Sequence, residues 1–134
     1  TGLEAVLTDI RHDYNGQSQF YMAAWSAGGH LTWQMIFNHP EQLAGAALAA
    51  SDYAGRGVTS VSSDPSRVNL PIRAFQGDVD IYLVSLNKEW SVALATAQTS
   101  GYQNISRVTI PGQGHSPFPD QVLQYFNSLY SSGK

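Results

Sequence analysis

One serine with a small residue two places away on either side, Ala24-Trp25-Ser26-Ala27-Gly28, separates an apolar run from a stretch without carboxylates, lysines or arginines. Phe20-Tyr21-Met22-Ala23-Ala24 comes before it, and Ala27 to Asn38 follows. That order predicts a strand, a sharp turn and a helix. So abrupt a turn strains the backbone of its central residue, and the residues two places away must be small to avoid a clash. The turn also lifts the serine hydroxyl out of the sheet and aims it at the helix N-terminus. The same pattern fits a plain strand-to-helix turn with an N-capping serine. The remaining residues have to discriminate between the two.

Helical spacing of Leu3, Val6, Leu7, Ile10 and Tyr14 predicts a helix from Thr1 to Asn15. Thr1 and Glu4 can form its capping box, and Asn15-Gly16 ends it. The uncharged helix after Ser26 should be buried on more than one side and stops at His39-Pro40. Gly45 to Ala50, short and apolar between breakers, reads as a buried parallel strand. Ser51 to Asn69 reads as a long loop, a length that usually serves function. Leu70 to Phe75 and Ile105 to Ile110 read as strands. Between them Leu86, Trp90, Ala93, Leu94 and Ala97 share one face of a helix over Ser85 to Ser100, with Gly101 at C′. A last helix runs from Pro119 to Tyr130 with Val122, Phe126 and Leu129 inward. Strands alternating with helices predict an α/β fold, an open parallel sheet of about four strands in one domain spanning 1–134.

Composition narrows the function classes. The chain has 134 residues and buries roughly two-thirds of its unfolded surface. A net charge of -3 without a basic run gives no support to nucleic-acid or membrane-surface binding. No apolar stretch approaches the roughly 20 residues of a membrane span. With no cysteine, a disulfide scaffold, a thiolate metal site and a cysteine nucleophile are excluded. Charged residues are only 13% of the chain, which leans weakly towards an exported protein.

Chemistry in open parallel sheets gathers beyond the carboxyl ends of the strands. Three such ends here carry reactive side chains. Ser26 follows the first strand, Asp78 and Asp80 follow the third, and His115 follows the fourth in Gly112-Gln113-Gly114-His115-Ser116. Tyr53 and Tyr82, on loops at the same edge, and Trp25, beside the serine, are candidates for substrate contact. His12, His30 and His39 fit no acid or metal spacing.

The order Ser, Asp, His at one sheet edge resembles the α/β-hydrolase superfamily. Trp25-Ser26-Ala27-Gly28-Gly29 is similar to its nucleophile elbow, and His39 to Ala47 is similar to the stretch after the elbow helix in many of its esterases. Pro71 to Asp80 resembles the strand that delivers the acid, and Gly114-His115 the histidine loop. The resemblance places the acid three residues after the glycine, which selects Asp80 over Asp78. It implies Ser26 as nucleophile, His115 as base, Asp80 as its orienting acid and the Ala27 N–H as one oxyanion donor. It implies no metal or organic cofactor. The implied activity is ester hydrolysis of a small-molecule or polymer substrate, similar to polyhydroxyalkanoate depolymerases and feruloyl esterases. Peptidases of the prolyl-oligopeptidase type share a similar elbow, and a non-catalytic hydrolase-like fragment is the third reading.

The family sheet has about eight strands, with the elbow after the fifth. This chain therefore resembles the C-terminal half only, and neither the early loop of the second oxyanion donor nor a His-Gly-Gly run has a counterpart. The chain begins at Thr1 without Met or a signal peptide. The expectation is a piece of a longer enzyme, or a chain that pairs with another along the open edge of Phe20 to Ala24.

Overall fold

The computed structural model describes residues 2–13 and 18–133, and of residues 10–13 the backbone alone. Thr1 of the expected cap, the Asn15-Gly16 stop, Tyr14 and the side chains of Ile10 and His12 lie outside the described residues. Four strands, β1 (Phe20–Trp25), β2 (Leu43–Ala49), β3 (Ile72–Gly77) and β4 (Ile105–Ile110), form one parallel sheet in the order β1-β2-β3-β4. Helices α1 (Gly2–Asp13), α2 (Gly29–Asn38), α3 (Leu83–Thr99) and α4 (Pro119–Ser131) flank it. The expected α/β architecture is the observed one.

Alternation along the central strands feeds two cores, because successive side chains point to opposite faces. Ala46, Leu48, Ile72 and Ala74 pack against Trp33, Ile36 and Phe37 of α2 and Ala93 and Ala97 of α3. Ala47, Ala49 and Phe75 pack on the other face against Phe118 and against Val122 and Tyr125 of α4. The small residues of β2 let these layers approach closely, and all of Gly45 to Ala50 is buried.

Strand β3 begins two residues later than expected and ends two later. Pro71 has no N–H to donate to a ladder, although its carbonyl accepts from the Ala46 N–H at 2.9 Å. At the other end Gln76 and Gly77 pair with Thr109 and Ile110, which carries the strand towards the site. Helix α3 ends in the expected way. Gly101 has φ 92°, and the Tyr102 and Gly101 N–H groups donate to Ala97 O at 3.0 Å and Gln98 O at 3.2 Å. These bonds satisfy carbonyls that the last turn leaves open.

The segment between β2 and β3 contains one 3-10 turn, Pro65–Val68. It lies against the α2 side of the sheet, with Val58 and Val61 on the core and the Ser62 N–H donating to Phe37 O at 2.7 Å. Among the described residues β1 and β4 each pair on one side only.

Candidate functional site

Ser26 sits where β1 passes into a short 3-10 turn, Ser26–Gly28. Its φ of 54° is left-handed, a region that an L side chain enters at a cost. Trp25 before it is extended, and α2 starts at Gly29. A methyl group at Gly28 would touch the Ala24 Cβ at 3.7 Å, so the two small residues face each other as the sequence requires. The tighter place is Gly29. A Cβ there would lie 2.7 Å from both Asp52 O and Ser51 Cβ. That clearance lets the Asp52 N–H donate to Ser26 O at 3.0 Å and pins the turn.

The loop after β4 brings His115 across to the serine. Its approach depends on Gly77 at the end of β3, where a Cβ would come within 2.1 Å of Gln113 O. The Val79 N–H holds the same Gln113 carbonyl at 3.1 Å. Asp78 holds the loop from below, its Oδ1 accepting the Gly112 N–H at 2.7 Å.

His115 Nε2 lies 3.0 Å from Ser26 Oγ, and His115 Nδ1 lies 2.8 Å from Asp80 Oδ2. An ionised carboxylate can only accept, so the ring proton belongs on Nδ1 and the Nε2 lone pair faces the serine hydroxyl. The Asp80 side chain is fully buried and that of His115 is 19% exposed. Burial opposes the charge of Asp80. Bonds from the Tyr82 N–H, His115 and Gln76 outweigh it and hold the carboxyl below its ordinary range.

An open cleft of about 480 Å³ lies over these groups, lined by Trp25, Ser26, Ala27, Gly28, Asp52, Tyr82 and His115. The imidazole stands between two aromatic rings, Tyr82 edge-on at 5.1 Å and Trp25 tilted at 5.7 Å. Ala27 lies in the first turn after the strand, where backbone N–H groups have no intrahelical acceptor.

The structure thus brings together Ser26, Asp80, His115, Ala27, Trp25 and Tyr82. It does not bring Tyr53 with them. That ring is 8% exposed and packs edge-on against Trp33 at 5.5 Å and Phe37 at 5.9 Å. A large ring gains more from this apolar contact than from an open rim, so the expectation of substrate contact at Tyr53 is corrected. Asp52 and Gln76 were not anticipated, and neither carries a mark in the sequence. Gly29 and Gly77 are legible there as part of the elbow motif and as the glycine before the acid, but not for the close approaches they permit.

No protein-family model matches the sequence, and no curated protein matches it. Solved structures do. A Bacillus cereus carboxylesterase superposes with a TM-score of 0.64 at 15% identity, over 96% of this chain and 57% of that one. Arabidopsis thaliana SOBER1 gives 0.66 at 19% identity, over 98% and 60%. Zea mays acyl-protein thioesterase 2 gives 0.59 at 15% identity, over 96% and 64%. The chain therefore spans about six-tenths of the length of these neighbours, and at such identities the likeness speaks for architecture alone: this polypeptide has the architecture of the matching six-tenths of an α/β-hydrolase fold.

Proposed function

We propose that this chain carries the reacting side chains of a serine hydrolase that cleaves a carboxylic ester through an acyl-enzyme. The observation that carries the reading is the unbroken hydrogen-bond path from Ser26 through His115 to a buried Asp80. In this reading His115 Nε2 takes the hydroxyl proton as Ser26 Oγ bonds to the carbonyl carbon. Asp80 stabilises the imidazolium and keeps the ring in register. The Ala27 N–H donates to the developing oxyanion. Collapse breaks the ester C–O bond, and the proton on Nε2 leaves with the alcohol. Water then repeats the sequence on the acyl group and frees Ser26.

The neighbours named a carboxylesterase and an acyl-protein thioesterase favour an ester or thioester substrate over a peptide. Trp25 and Tyr82, 47% and 54% exposed, supply flat apolar walls for the substrate beside the imidazole. The reading includes a further polypeptide, either more of the same chain or a partner, that covers β1 and supplies the second oxyanion donor. One such donor is worth about a hundred- to a thousandfold in rate.

Hydrolysis of p-nitrophenyl acetate against aminoacyl p-nitroanilides tests the substrate class. Ser26→Ala is expected to lower kcat at least about a thousandfold and to abolish labelling by a fluorophosphonate. Turnover that survives Ser26→Ala removes the mechanism. An intact preparation that takes no label points to a non-catalytic fragment.

A further inference from the structure

Gln76 reaches the site from below, out of β3, with its side chain buried. Its Nε2 donates to Asp80 Oδ2 at 2.9 Å and to Gly77 O at 3.2 Å. Both partners are pure acceptors, so the opposite amide orientation would set an oxygen against two oxygens. The amide therefore commits both its hydrogens. Asp80 Oδ2 receives His115 and Gln76 together, while Oδ1 receives the Tyr82 N–H at 2.8 Å.

We propose that Gln76 is a positioning residue that locks the Asp80 carboxylate against rotation and sets how strongly it holds the imidazole. The inference rests on Ser26, His115 and Asp80 being the reacting set. A neutral donor suits this place. A lysine or arginine would compete with the imidazolium for the carboxylate, whereas an amide restrains it and leaves the charge balance unchanged. Among the described residues His115 is the one side chain that ion-pairs with Asp80. The other charged groups nearby are engaged or face elsewhere. Asp52 lines the cleft on the serine side, Asp78 holds Gly112, and Arg107, beyond Gln76, donates to Asn87 Oδ1 at 2.7 Å.

Without Gln76, Oδ2 keeps one donor and becomes a stronger acceptor for the imidazolium. Protonated His115 is then favoured, and the active form is lost at higher pH as the solution is acidified. Gln76→Met keeps the length and the apolar stem but removes the donor. In that variant kcat should fall about tenfold with KM nearly unchanged, and the acid limb of the pH profile should move up by about one pH unit. If Gln76→Met does not fold, Gln76→Asn makes the same test, because an amide one methylene shorter no longer reaches Asp80 Oδ2 and the acid limb should move in the same direction.

An unmoved acid limb in a folded variant overturns the inference. So does an unchanged downfield proton resonance of His115 Nδ1–H, which should move and broaden once the carboxylate can turn. The resonance needs no turnover. A wild-type preparation that includes the further polypeptide and still lacks Ser26-dependent hydrolysis would sink the hydrolase reading, while the resonance still decides the role of Gln76.

Discussion

Asp80 keeps its charge where burial works against it, because the Tyr82 N–H, His115 and Gln76 all donate to it. Its native value lies below the ordinary 3.8, so on acidification the unfolded chain binds that proton first. The stabilisation is complete above the ordinary value and is lost as the pH falls through the native one. Asp64 adds to this with the same sign, through the Ser66 hydroxyl and N–H. The urea midpoint is expected to drop as the pH falls below about 4, and Asp80→Asn should flatten that fall. A midpoint equally steep in the variant would contradict it. Taken by residue type alone, Asp78 and Asp80 are two equivalent carboxylates in one loop, and only the family resemblance selects Asp80. They differ in what each faces, and only the path of the loop after β4 decides that. Gln76 was invisible for the same reason: a glutamine in a strand has no mark that says its amide will meet a carboxylate.

Elements hold these residues by close approach. The loop carrying His115 crosses the end of β3 at Gly77, with space there for a hydrogen and nothing larger. Gly77→Ala must push Gln113 away and His115 with it. Stability is expected to fall by about 1–3 kcal/mol, and Ser26-dependent hydrolysis should fall far more than the folded fraction does. Equal losses by urea titration and by rate would show that the loop does not set the imidazole. Helix α3 and strand β4 were legible because period and punctuation agree there, the apolar face ending at Gly101 in the left-handed region. The start of β3 was misjudged because a proline extends a strand without joining its ladder. Tyr53 lies on a loop as expected, but a loop position does not fix where the ring goes, and the α2 side of the sheet offers it an apolar seat.

At the scale of the molecule, β1 is open on one side among the described residues, and Trp25 and Leu123 stand exposed beside it. Together with Ala23, Ala24, Pro117, Pro119 and Val122 they line an apolar groove of about 380 Å³. An uncovered edge of this kind pairs with whatever strand it meets. The chain alone should gain mass with concentration in sedimentation, Ala23→Lys should shift it towards monomer, and its turnover should stay well under the ~10 s⁻¹ of an ordinary enzyme. A monodisperse chain at ordinary turnover would end that expectation. The φ of 54° at Ser26 has a wider consequence. Glycine would shed about 1 kcal/mol of backbone strain there, so Ser26→Gly should melt no lower than wild type while hydrolysing nothing. Breeding this molecule for heat resistance alone would therefore reward the loss of its hydroxyl, and any such campaign has to score product as well as survival.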